Sequence, residues 1–303
     1  MSAVAHKYAE PTVLQVDSFP MRLFEKAKRL GVWNPSDFDF SKDREDWEAM
    51  SEERRTAILQ LTAAFLGGEE AVTLDLLPLV LAVARQGRLE EEMYLTTFLF
   101  EEAKHMDFFS RWLREVADSP QLPEPSDPSV QMFDVELPAV MNALLEDQSP
   151  VAIARASTTY NMIVEGVLAE TGYNTYHRSL AVNGLMPGLC EGLVNIKRDE
   201  SRHIAYGVYL LSRLVAEDHS AWEAIEQRMT ELQPVTQAII LAGYEDYPDG
   251  VSPFGIRFDE FADFATNQFR KRYERISKAR EQTLGEIEAT SDPGEVEDLV
   301  TEV

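Results

Sequence analysis

The chain has 303 residues, 45% hydrophobic and 27% charged, which suits a folded globular protein with a substantial core. Its net charge of −25 argues against a nucleic-acid backbone or an anionic membrane surface as partner. The single cysteine, Cys190, excludes an intrachain disulfide and fits a reducing compartment; in "PGLCEGL" it reads as a small packed residue, not a nucleophile.

The first twenty residues lack a basic start followed by an apolar core, so no secretory signal is expected and the cytoplasm is the expected location. Strand signals are nearly absent. Helical periodicity runs over roughly 20–31, 42–86, 88–117, 136–146, 150–180, 185–217, 219–243 and 257–285. In the second run, Gly67 and Gly68 suggest close packing, and Pro78 a kink or an irregularity in the helix. The apolar stretch 72–84 holds Asp75 and Pro78 and is too short to span a bilayer. Gly87 and the pair Asn183-Gly184 interrupt long runs as helix–helix turns do. Segment 118–129, with four prolines, is an irregular connection but short for a domain linker, so residues 1–285 are expected to form one domain. Ser149-Pro150 reads as an N-cap with proline in the first turn. From Glu281 onward there are eight acids and no Lys or Arg, and 286–303 is expected to be a disordered acidic tail. The fold class is an all-α helical bundle.

Two of the five histidines have a glutamate three residues before them: Glu102/His105 in "EEAKH" and Glu200/His203 in "DESRH". Glu69 precedes Glu102 by 33 residues, and Glu165 precedes Glu200 by 35. All four glutamates lie in apolar sequence, and the turn signals fall near the midpoints. An antiparallel hairpin turning at its midpoint brings its two glutamates to one height. The chain thus carries one device twice, a helix giving Glu and the next giving Glu-x-x-His. Four carboxylates and two imidazoles at one level of a bundle form the ligand set of a dinuclear carboxylate site, and four negative charges balance two divalent cations. Asp199, directly before Glu200, is placed to accept a hydrogen bond from a ligating imidazole. Glu70, Glu101 and Glu170 point elsewhere on their helices and are expected to be solvated or paired. Arg198 and Arg202 are read as ion-pair partners, and His6, His177 and His219 as structural.

The order Glu69, "EEAKH", Glu165, "DESRH" resembles the ferritin-like superfamily, specifically the small subunit of class I ribonucleotide reductase, over roughly 55–215. In that subunit the radical tyrosine usually lies four residues after the first histidine, where this chain has Phe109. Val72, three residues after Glu69, and Tyr160, five before Glu165 and roughly 7.5 Å away along an α-helix axis, look like the ligand-binding oxidases related to the reductase subunit. That resemblance implies a manganese/iron site, one ion of each per chain, with di-iron as the variant. It puts manganese at Glu69, Glu102 and His105, iron at Glu165, Glu200 and His203, and makes Glu102 the bridge. It further implies O₂ activation, a long-chain fatty acid or similar lipid bound at the metals, a Val72–Tyr160 ether cross-link and a homodimer. Nothing in the ligand types selects manganese, since the usual affinity order favours iron in both sites. A manganese/iron reductase small subunit and an acyl desaturase are the nearest alternatives; ferritin-like iron storage and a metal-free scaffold are further ones.

Overall fold

A computed structural model describes residues 13–290. In chain order the helices are α1 (Phe19–Leu30), α2 (Ser41–Ala49), α3 (Glu52–Asp75), α4 (Leu77–Arg85), α5 (Leu89–Glu115), α6 (Asp127–Val130), α7 (Leu137–Ala143), α8 (Pro150–Ser157), α9 (Glu170–Ser179), α10 (Pro187–Glu217), α11 (Ser220–Ala242), α12 (Phe258–Lys278) and α13 (Leu284–Thr290). The described residues contain no strand, only an isolated bridge between Val251 and Arg257.

Local chemistry sets the boundaries. The periodic run 42–86 is three helices, because Ser51 caps α3 by accepting a hydrogen bond from Arg54 N and Pro78 falls in the first turn of α4. There its missing N–H costs little, so proline starts a new helix, and the run is interrupted beside Pro78 rather than kinked at it. Ser149 caps α8 as expected. Gly87 (φ 74°) and Gly184 (φ 64°) take the left-handed conformation at the turns of the two hairpins. The start of α10 has no cap of its own. Asp43 of α2 supplies one from across the fold, accepting from Gly188 N (2.8 Å) and Leu189 N (2.7 Å), while Asp46 accepts from Met186 N.

The run 150–180 is not one α-helix. Between α8 and α9, Thr158–Ala169 is wound as a π-helix. Its wider turn puts residues five apart on one side, so Tyr160 and Glu165 share a face that a regular α-helix would have split. The boundary expected at 285 falls inside α13, whose Ile287 is buried in the core; the rest of the acidic tail, like His6, lies outside the described residues.

Two hydrophobic clusters fill the bundle. One gathers Val72, Phe98, Tyr160, Ile163 and Ile204; the other Phe65, Phe108, Phe109, Tyr173 and Ile196. α3, α5, the π-helix with α9, and α10 each run through both, and each crosses the seam where its glutamate stands. Gly67 and Gly68 do not serve close packing: a Cβ at Gly67 would meet nothing within 4 Å, and at Gly68 only the edge of Phe133. The two tightest approaches are on α10, where a Cβ at Gly192 would come within 2.0 Å of Phe108 and one at Gly207 within 2.2 Å of Asn161.

Candidate metal centre

The seam between the clusters is polar. Glu69, Glu102, His105, Glu165, Glu200 and His203 converge there, each no more than 5% exposed. They form two overlapping groups, Glu69–Glu102–His105–Glu200 and Glu102–Glu165–Glu200–His203, with the donor atoms of each group within 4.8 Å of one another. Glu102 belongs to both groups, as the bridging reading requires, and so does Glu200, which sequence reasoning had confined to one. His105 Nδ1 lies 3.5 Å from Glu69, 3.5 Å from Glu102 and 3.3 Å from Glu200. His203 Nδ1 lies 3.2 Å from Glu102, 3.4 Å from Glu200 and 3.9 Å from Glu165.

These separations are those of donors facing a common point, not of hydrogen-bonded pairs. His105 Nδ1, Glu165 Oε1, Glu200 Oε2 and His203 Nδ1 are buried without a hydrogen-bond partner among the described residues. A buried unpaired polar atom costs roughly 1–3 kcal/mol, so four divided between these two groups mark positions that cations would fill. The oxygen and imidazole donors suit first-row divalent ions.

Without a cation the groups settle their charge among themselves. Burial pushes Glu69 up to about 8, and burial followed by the charge of Glu200 pushes Glu165 well above the carboxylate range. Burial works in the same sense on Glu102 and Glu200, but the two histidines outweigh it: they hold Glu102 well below its ordinary value and Glu200 below. For His105 and His203 burial opposes the charged form, yet Glu69 and Glu102 respectively, with the surrounding hydrogen bonds, raise both imidazoles well above theirs. Burial and the neighbouring charges thus favour protons on Glu69, Glu165 and both imidazoles over Glu102 and Glu200, which keeps the net charge of the cluster low.

The outer atoms of both imidazoles are fixed crosswise. His105 on α5 turns Nε2 to Asp199 on α10 (3.4 Å), and His203 on α10 turns Nε2 to Glu101 on α5 (3.0 Å). Arg202, fully enclosed, donates to both carboxylates through one Nη2, at 2.5 Å each. Asp199 does what its position before Glu200 suggested. Glu101, expected only to be solvated or paired, holds a ring, and Arg202 joins the two; Glu70 is exposed. The signal for Glu101 was available, since an acid directly precedes the glutamate in both motifs. Asp199 also accepts from Trp33 Nε1 (2.8 Å) and Lys104 Nζ (3.1 Å), which no spacing announced. Asn161 donates to Glu165 Oε2 at 2.9 Å, and the Tyr173 hydroxyl stands 3.3 Å from Glu69 and 3.2 Å from Glu200.

Tyr160 donates to Glu102 Oε1 at 2.8 Å, and burial with the charge of Glu102 raises its phenol well above the ordinary value. Val72 lies one turn beyond Glu69, buried in the cluster that holds Tyr160. Phe109 is buried and stacked on Phe65. Cys190 stands apart, its thiol pushed up to about 11 by burial, which suits no nucleophile. His177 is half-buried and His219 exposed. Glu170 is buried opposite Arg272.

A model of the family described as ribonucleotide reductase, small chain, matches residues 23–246. Among solved structures, a single-residue mutant of an R2-like ligand-binding oxidase with anaerobically reconstituted Mn/Fe cofactor is 40% identical. The match has a TM-score of 0.84 and covers 91% of this chain and 99% of that one. A valine-to-isoleucine mutant of such an oxidase, with aerobically reconstituted Mn/Fe cofactor, is 38% identical with a TM-score of 0.85 and the same coverage. Family model and structural likeness agree with the geometry: the chain belongs to the ribonucleotide reductase small-chain family, among the R2-like ligand-binding oxidases.

Proposed function

We propose that this chain is an O₂-activating oxidase that holds one manganese and one iron ion and binds a long-chain fatty acid or similar lipid beside them. It removes two electrons from C–H bonds, including one of its own. The observation that carries this reading is the convergence of four unpartnered donor atoms, two imidazole and two carboxylate, at a dry seam. Glu69, Glu102, His105 and Glu200 would hold the first ion, and Glu102, Glu165, Glu200 and His203 the second. When bound, such a pair supplies O₂ binding and reduction.

The chain's own residues do the rest. Asp199 and Glu101 keep a proton on each Nε2, leaving Nδ1 free to bind metal. Asn161 engages one oxygen of Glu165 and leaves the other facing the centre. The two hydrophobic clusters exclude water, so an oxidising equivalent meets C–H bonds. In the self-reaction the Cβ hydrogen of Val72 and the hydroxyl hydrogen of Tyr160 are lost, a C–O bond forms, and O₂ accepts the two electrons. A physiological substrate would present its own C–H bond where Val72 presents one. Tyr160 must release Glu102 to join Val72, which ties the cross-link to a change at the bridging carboxylate.

The same reading includes a cytoplasmic homodimer; among the described residues no helix is long and apolar enough to cross a membrane. The test is aerobic loading of metal-free protein with Mn(II) and Fe(II), followed by digestion and mass spectrometry. The expected product is the Val72 and Tyr160 peptides joined, lighter than their sum by two hydrogens, and absent without O₂. Unlinked peptides after aerobic loading defeat the cross-link; organic extraction of the folded protein tests the lipid.

A further inference from the structure

The two halves of the centre match in their ligands but not in what stands behind the histidines. His203 Nε2 faces Glu101 Oε2 at 3.0 Å, an oxygen that serves no other donor among the described residues; the second oxygen of Glu101 takes Arg202. His105 Nε2 faces Asp199 Oδ2 at 3.4 Å, and that oxygen already accepts from Trp33 Nε1 at 2.8 Å and from the Lys104 ammonium at 3.1 Å. Arg202 is common to both carboxylates and cancels from the comparison. The difference is therefore one full cation and one indole N–H, both on the His105 side. Lys104 is 6% exposed, lies over the Trp33 ring at 4.3 Å and is pinned by the carbonyl of Gly31 at 2.8 Å. Gly31 also makes room for Glu101, whose Oε1 would lie 2.3 Å from any Cβ there.

An imidazole whose N–H is held by a strong acceptor donates more strongly through its other nitrogen, and such partners typically change metal affinity 10–100-fold. The preference for iron over manganese grows with donor strength, because it arises from donation into the metal. A weaker donor compresses that preference. We propose, resting on the manganese/iron reading above, that Lys104 and Trp33 are the residues that let manganese compete for the first site. By drawing charge from Asp199 they weaken His105 as a donor, while Glu101 keeps His203 strong and the second site selective for iron. Asymmetry absent from the ligand types is present one bond further out.

The test uses the full metal-free chain, loaded without O₂ from an equal excess of Mn(II) and Fe(II). Each ion is then assigned to its site by anomalous scattering at both metal edges, with total metal counted independently. Wild type is expected to carry manganese at Glu69/His105 and iron at Glu165/His203. Lys104→Met should shift the first site toward iron, lowering its Mn:Fe ratio roughly tenfold; Trp33→Phe, which keeps the ring and loses the N–H, shifts it in the same direction by less. Lys104→Gln keeps a donor to Asp199 without the charge, falls between, and carries the test where the methionine variant does not fold. A variant that merely loosened the protein would lose both ions without exchanging one for the other. Folded Lys104 variants with manganese still in the first site at the wild-type ratio overturn the proposal. Iron in both wild-type sites, or no metal at all, instead overturns the manganese/iron reading on which it rests.

Discussion

Loading the centre with metal should release protons in a number set by the charge state of the empty cluster. The shifts run toward protons on Glu69 and Glu165, imidazolium at His105 and His203, and ionised Glu102 and Glu200. Two divalent ions need four carboxylates and two neutral imidazoles, so filling both positions at pH 7 displaces about four protons per chain. Affinity must then rise with pH, because protons are products of binding. The apparent constant for the pair rises with pH, and less steeply above pH 8, since Glu69, pushed to about 8, has by then released its proton. The assay is anaerobic calorimetry at fixed pH in buffers of different ionisation enthalpy, where the slope of observed heat against buffer enthalpy counts protons. One proton or fewer at pH 7 would refute the raised carboxyls and imidazoles, and no break near pH 8 would refute the placing of Glu69.

Two further substitutions test the scaffold. Asp43→Ala strips the start of α10 of its acceptor for Gly188 and Leu189 and leaves the Trp112 indole unpaired. A loss of roughly 1–3 kcal/mol is expected in urea denaturation of the metal-free protein, and an unchanged midpoint would show that water replaces the carboxylate. Gly192→Ala drives a methyl to 2.0 Å from the Phe108 ring, which Trp33, Phe38 and Phe40 hold from other sides. With no flexible end to give way, overpacking should cost about 1–3 kcal/mol, read from thermal melts; Gly67→Ala, with open space around it, is the matched control and should be neutral or stabilising.

The bundle and the six converging side chains were legible because both are local signals repeated. Helical periodicity marks the elements, and the Glu and Glu-x-x-His pattern recurs across a midpoint turn in each half. What surrounds the six was legible only where it was local too. Asp199 stands next to a ligand glutamate, and so does Glu101, yet sequence alone could not say which histidine each would reach, because that depends on how α5 crosses α10. Trp33 reaches Asp199 through the path of the loop after α1, and Lys104 reaches it from α5 beside the Gly31 carbonyl of that loop; no spacing rule exists for either. The π-helix escaped notice because no composition rule separates a π-turn from an α-turn; only Tyr160 and Glu165 needing one face, five residues apart, hinted at the wider turn. Gly67 and Gly68 misled because glycine in a helix signals close approach only when a neighbour is there. At Gly192 and Gly207 that neighbour arrives from another helix.

The crosswise hold on the histidines makes the two halves of the centre one object. Each hairpin gives three of the converging side chains and also the carboxylate that orients the other hairpin's imidazole, and Arg202 ties the two carboxylates through a single nitrogen. Sliding α5 against α10 would therefore disturb both rings together. A centre assembled from two independent halves could fill one position and leave the other slack. Here, with Glu102 and Glu200 common to both groups and Arg202 common to both outer carboxylates, an ion in one position would order donors of the other. The repeated motif supplies the donors, and the crossing of the repeats joins them into one site.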